Sequence, residues 1–439
     1  MLRIEGTSSG SFCDNVSRRQ FLKVGAVGAL TLPQLLAAEA QAGVGNSHKA
    51  VIMIYLPGGI GHQDSFDLKM DSPSDIRGEF KPIKTNLPGL EICEYLPKLA
   101  TIMDKCTVIR SLVGARDEHA SNLCMSGYTQ AETSQLHRPT MGSVLSRLEG
   151  SVDKTVPPFI NMAARTQHPP YNDPGPGFAG IAHSALNPNG PMMADMTLGG
   201  ITLDRLAHRR QLLTSLDAYR RKVDSLEGLD SLSQKAYDIL TSSKLVNAMN
   251  LDKEDPKVRA RYGKGIAAVQ GDASPMLNEQ FLAARRLVEA GARLVHVSYG
   301  FWDWHGNNFK MMKDHLPHLD QGVHALITDL HERGLDKDVS VIVWGDFGRT
   351  PKINKDAGRD HWPRVSCALL AGGGMRHGQV IGSTNRLGEE ADDRPIDYKD
   401  VFVTLYNQLG IDIVNTPVPE MNGRPNYLFA GHEPIRELV

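Results

Sequence analysis

Cysteine is scarce in this chain of 439 residues: there are five, and Cys13 falls within the first 42 residues, apart from the rest. Cys93, Cys106, Cys124 and Cys367 are scattered with no Cys-x-x-Cys spacing. That argues against a thiolate zinc site and a dense disulfide framework, and leaves one or two bridges open. An excess of charge of one sign is also missing, since 48 Lys and Arg face 50 Asp and Glu. The net charge of -2 supplies no global attraction to nucleic acid or to an acidic membrane. After residue 42 the chain has no Walker loop, no Gly-x-Ser-x-Gly elbow and no His-Glu-x-x-His pair. A P-loop nucleotidase, an α/β-hydrolase triad and a zincin are therefore disfavoured.

What is present begins with Ser17-Arg18-Arg19-Gln20-Phe21-Leu22-Lys23, a twin-arginine export signature, followed by an apolar stretch over 24–38. Gly25, Gly28 and Pro33 interrupt that stretch, and it is shorter than the roughly 20 apolar residues of a spanning helix. Small residues at Ala38, Ala40 and Ala42 suit signal peptidase. Residues 1–42 thus read as a targeting segment for the twin-arginine export machinery, with a periplasmic or extracellular destination and no stable membrane span after cleavage. An uncleaved signal anchor and a buried N-terminal helix are the alternatives. This route carries folded proteins, which suits a chain that takes up a metal before export.

Residues 43–439 open on Ala50–Leu56, a continuous apolar run closed by Pro57-Gly58-Gly59, as for a strand buried on both faces. Further strands are predicted over 107–112, 158–162, 292–299, 339–344 and 365–371, and helices over 96–103, 121–126, 141–148, 314–333 and 398–409. On the helix over 314–333, Leu316, Leu319, Val323, Leu326, Ile327 and Leu330 form one stripe, the pattern of a helix packed on a sheet. Its histidines, His315, His318, His324 and His331, read as packed or solvated. The stretch 168–200 is rich in Pro, Gly, Asn and Met and reads as a loop or lid. The stretch 203–291 has a nearly continuous helical pattern and reads as a helical insertion. From 292 onward strand and helix alternate at the spacing of a parallel sheet. The predicted class is α/β, a mainly parallel sheet flanked by helices with a helical insertion, in one domain.

The acidic and imidazole residues gather just past predicted strands, where open α/β sheets bind ligands. His62 and Asp64 follow the first strand; Asp303 and His305 follow the strand over 292–299; Asp346 follows the one over 339–344; and Asp360-His361 precedes 365–371. Carboxylates and imidazoles in such clusters are ligands for a divalent metal or contacts for an anionic substrate.

These residues carry a resemblance. Gly58-Gly59-Ile60-Gly61-His62-Gln63-Asp64-Ser65-Phe66-Asp67, Arg77-Gly78-Glu79-Phe80, Trp302-Asp303-Trp304-His305-Gly306-Asn307-Asn308-Phe309, Asp346-Phe347-Gly348-Arg349-Thr350-Pro351 and Gly358-Arg359-Asp360-His361-Trp362 resemble the family called domain of unknown function 1501. That family is a sulfatase-like branch of the alkaline phosphatase and sulfatase superfamily. The resemblance implies an alkaline phosphatase-like sheet with one or two divalent ions (Zn, Ca, Mg or Mn), held in chain order by Asp64, Asp303, His305, Asp346 and His361, with His62 a further candidate. Arg349 would neutralise an oxyanion. By position the nucleophile falls within 118–127, where Ser121 is either that group or a helix cap. His119 is either a ligand or general base, or a surface or capping histidine, and direct attack by water is the remaining route.

Three departures bear on that carry-over. Phe347 stands where the superfamily commonly has His or Asn after the Asp, and Asn307 stands at the spaced position after Asp303 where it has His, so one metal subsite is altered or missing. The Cys-x-Pro-x-Arg or Ser-x-Pro-x-Arg segment that makes formylglycine is absent from the sequence. The expectation is an exported metal-dependent hydrolase of phosphate or sulfate esters on an anionic small molecule or glycan. The alternative is a non-catalytic relative that binds an anionic glycan or a cell-envelope partner.

Overall fold

A computed structural model describes residues 49–188 and 243–439. The predicted targeting segment 1–42, residues 189–200 of the predicted loop and residues 203–242 of the predicted insertion lie outside the described residues.

Eight strands make the main sheet: β1 (Ala50–Leu56), β2 (Cys106–Val113), β3 (Phe159–Asn161), β4 (Leu294–Ser298), β5 (Val339–Gly345), β6 (Ser366–Gly372), β7 (Gln379–Ile381) and β8 (Ile396–Asp397). Their order is β7-β2-β6-β5-β1-β4-β3, with β8 also paired to β2. β1 lies inside the sheet between β5 and β4, and its side chains alternate between two apolar cores: Ala50, Ile52, Ile54 and Leu56 enter one, Val51, Met53 and Tyr55 the other. The uninterrupted apolar run expresses this burial on both faces.

Helices cover each face. Against one lie α3 (Glu279–Ala290), with Phe281, Leu282 and Leu287, and α4 (Asn308–Glu332), with the stripe from Leu316 to Leu330. Against the other lie α1 (Asn122–Ser126), α2 (Met141–Leu148) and α5 (Tyr398–Gln408), through Leu123, Val144, Leu145, Phe402 and Leu405. The architecture is the predicted α/β class, a mainly parallel sheet between helical layers.

The strand directions correct one expectation. β3, β4, β1 and β5 run parallel to one another, but β6 pairs antiparallel with both β5 and β2 and does not continue the parallel alternation. Residues just before β6 therefore reach the sheet edge where β1, β4 and β5 end. Locally, the helix expected over 96–103 is a 3-10 segment, Leu99–Lys105, broken at Ile102. α4 begins at Asn308, six residues earlier than its apolar stripe suggested. Within the expected helical insertion, Gly265–Val269 and Pro275–Leu277 form an antiparallel hairpin, and α3 packs on β4 and β1 as part of the main fold. The open question of bridges is answered for the described cysteines: all four are free and buried. No helix among the described residues is long and apolar enough to cross a membrane.

Three buried histidines make this fold acid-sensitive. Burial pushes His62 and His315 down to about 4 and His296 down to about 3. Each stays neutral in the fold but takes up a proton in the unfolded chain below about pH 6.5. Their contribution is intact above that pH and is lost as pH falls from about 6.5 toward 4. Burial raises Asp320 to about 6, against the backbone N–H bonds it accepts from Leu99 and Lys98, and this offsets part of the loss. Denaturant unfolding from pH 7 to 4 should show stability falling by more than about 1.4 kcal/mol per pH unit, with a shallower slope in His296→Gln. A flat profile would contradict the neutral burial of these side chains.

Candidate metal centre

Four loops meet at one sheet edge. The loop after β4 carries Asp303 and His305, and it touches the loop after β1 at Gly58, whose φ is +89° and where a Cβ would lie 2.7 Å from Asp303 Cβ. Glycine permits both that backbone conformation and that approach. Asp346 follows β5, and the chain from there to β6 folds back through a short ladder pairing Arg349 with His361. His119 arrives from the loop between β2 and α1, beside the start of antiparallel β6.

His119, Asp303, His305 and His361 each offer one ligand atom, and these atoms lie within 4.8 Å of one another. Asp303 is the hub: its Oδ1 is 3.0 Å from His305 Nε2 and 3.2 Å from His361 Nε2, and its Oδ2 is 3.2 Å from His119 Nε2. His305 Nε2 and His361 Nε2 are 2.9 Å apart. Two facing ring nitrogens at that distance cannot both carry hydrogen in line, so at least one lone pair is aimed into the cluster.

The far nitrogen of each imidazole meets an acidic or phenolic group. His305 Nδ1 is 2.7 Å from Asp360 Oδ1, His361 Nδ1 is 2.5 Å from Asp117 Oδ1, and His119 Nδ1 is 2.7 Å from the Tyr171 hydroxyl and 3.8 Å from Asp346 Oδ2. Such partners fix ring orientation and raise the basicity of the nitrogen facing a metal. The donor set therefore fits a divalent ion: three oriented imidazoles and a carboxylate, with His305 47% exposed on the open side. Burial would lower His119, but hydrogen bonds to Asp303 and Asp346 outweigh it and raise the imidazole to about 9. Burial would raise Asp303, but hydrogen bonds from His119 and His361 and the charge of Arg349 hold it far below the usual carboxylate range.

The other sequence-derived candidates lie around this group. Asp346 is buried behind His119; burial raises its pKa, the Tyr55 hydroxyl donates to its Oδ2 at 3.2 Å, and its Oδ1 has no hydrogen-bond partner among the described residues. Arg349, with its side chain 2% exposed, donates to Asp303 and to the backbone carbonyls of Gly58, Gly59 and Arg359. It faces the protein's own chain, where an oxyanion clamp was expected. Asp64 lies outside the group of four and is held by Arg359 and Asn308. His62 is fully buried, its Nε2 3.1 Å from Gly388 O. Ser121 is buried too, and its hydroxyl donates to Asn172 O at 2.6 Å. Sequence reasoning missed Asp117, one residue before the stretch 118–127, and Tyr171, at the end of the short 3-10 segment Pro169–Tyr171.

The family described as "Protein of unknown function (DUF1501)" matches residues 48–439. The chain belongs to this family. No curated protein matches it. Among solved structures, this DUF1501 chain is similar to the PsFucS1 sulfatase from Pseudoalteromonas sp., at 12% identity and a TM-score of 0.35, covering 90% of this chain and 72% of that one. It is similar to the phosphonate monoester hydrolase SpPMH from Silicibacter pomeroyi, at 11% identity and a TM-score of 0.36, covering 89% and 78%. It is also similar to the lipoteichoic acid synthase LtaP from Listeria monocytogenes, at 11% identity and a TM-score of 0.36, covering 83% and 73%.

If the four donors bind one ion, His305→Ala and His361→Ala should each weaken zinc binding by more than about 100-fold in calorimetry, and Asp117→Asn by about 10-fold. Unchanged affinity in all three would remove the centre.

Proposed function

We propose that this DUF1501 protein is an exported, metal-dependent hydrolase of phosphate or sulfate esters that works without formylglycine. The observation that carries this reading is the convergence of His119, Asp303, His305 and His361, each imidazole anchored behind by Asp346 and Tyr171, Asp360 or Asp117. Three imidazoles and one carboxylate suit zinc better than calcium or magnesium, which prefer oxygen ligands. When bound there, a divalent ion supplies Lewis acidity for an ester oxygen and lowers the pKa of water.

The chain's own residues set the rest. Arg349 fixes Asp303 from the protein side, and the exposed flank of His305 leaves an approach for an anionic small-molecule or glycan ester. Ser121 is turned toward Asn172 O, and burial is the main cause that raises the hydroxyls of Tyr171 and Tyr55 well above their ordinary range. Attack therefore falls to water, with the carboxylates behind the imidazoles holding the rings in orientation. Export rests on the signature over 17–23 and on the twin-arginine machinery that reads it.

Purified protein should contain a divalent ion by elemental analysis and hydrolyse aryl phosphates or aryl sulfates. Chelation or Asp303→Ala should abolish turnover, while Ser121→Ala should change it by less than about 2-fold, since its hydroxyl lies outside the hydrogen-bond reach of the cluster. Loss of turnover in a folded Ser121→Ala protein would restore serine as nucleophile. A metal-loaded protein with no ester turnover would favour the non-catalytic, glycan- or envelope-binding reading. For export, Arg18→Lys with Arg19→Lys should leave the precursor in the cytoplasm on fractionation; unchanged export would point to another route.

A further inference from the structure

We infer that Arg359 is a positioning residue for the metal centre, acting through the buried carboxylate of Asp64 to pin the loop that carries Asp360 and His361. The inference rests on the metal-centre reading and deepens it. Asp64 is 1% exposed and Arg359 fully buried. Their contact is a fork: Arg359 Nε donates to Asp64 Oδ2 at 2.7 Å and Nη2 to Oδ1 at 2.8 Å. Asn308 Nδ2, at the start of α4, donates to the same Oδ2 at 2.9 Å. The remaining guanidinium hydrogens reach Ile76 O at 2.8 Å, Thr350 O at 3.0 Å and Pro351 O.

One side chain thus joins the loop after β1, the segment at Ile76 and the loop after β5. Its backbone extends the join, because Arg359 N donates to Trp304 O at 3.0 Å, between Asp303 and His305, and Arg359 O accepts from Arg349 Nη1 at 3.2 Å. Asp360 and His361 follow directly in the chain. A buried carboxylate and guanidinium separated from each other would each be left uncompensated, which is strongly unfavourable, so the fork is rigid and the loop inherits its position. Both Asp64 oxygens accept hydrogen bonds in this pin, and Asp64 is not among the four residues whose donor atoms converge.

The test pairs two variants. Asp64→Asn with Arg359→Gln removes both buried charges together and avoids a lone one, whereas Arg359→Lys keeps the charge but loses the fork. In both, hydrogen exchange of residues 303–308 and 358–362 should rise while that of β1 and β5 stays unchanged. Zinc affinity should fall by about 10- to 100-fold with the number of ions bound unchanged. Wild-type exchange and affinity in both variants would overturn the inference. So would loss of one bound ion in the double variant, which would make Asp64 a ligand. If the wild-type protein binds no zinc, the metal reading fails, and exchange alone decides the pin: raised exchange supports it and unchanged exchange overturns it.

Discussion

Everything at the candidate centre depends on strand direction. β4, β1 and β5 run parallel and in register, with Tyr55 opposite Ser298 and Trp344, so their loops leave the sheet at one edge. β6 runs the other way, and its lead-in therefore approaches the same edge from outside. That reversal is what lets His361 meet Asp303 and His305, although it precedes its strand and they follow theirs. β2 ends beside the start of β6, with Leu112 opposite Ser366, and its outgoing loop delivers His119 from the remaining side.

Charge organises what topology collects. Asp303 receives three imidazoles and a guanidinium, a concentration of donors that holds its carboxylate ionised despite partial burial. Behind the imidazoles stands a ring of acidic groups, Asp117, Asp346 and Asp360, that fixes the orientation of the rings. Beneath them two buried arginines divide the task of bracing: Arg349 fixes the hub itself, and Arg359 ties the surrounding loops together. Arginine suits both places because its planar fork can satisfy a carboxylate and several carbonyls from a fixed position.

Much of the fold was legible in one dimension. β1 coincides with its apolar run, α2 with its predicted span, and the stripe of α4 with the face it buries, because burial repeats at the period of the element. Less legible were the strand Gly265–Val269, which is short and largely exposed, and the start of α4, where the buried polar Asn308 bonds to distant Asp64 ahead of the buried Phe309 and Met312. The direction of β6 was hidden for the same kind of reason, since strand pairing leaves no mark on the period of a single strand.

The residue types around the site, their placement after strands and the family were determined by the sequence itself, because spacing and motif survive without coordinates. Which of those residues share one point in space was decided by tertiary structure. Asp64 and Asp303 look alike in sequence, each an aspartate in a loop after a strand. Neighbours from far along the chain separate them: Arg359 encloses the first in a buried fork, while three imidazoles turn toward the second.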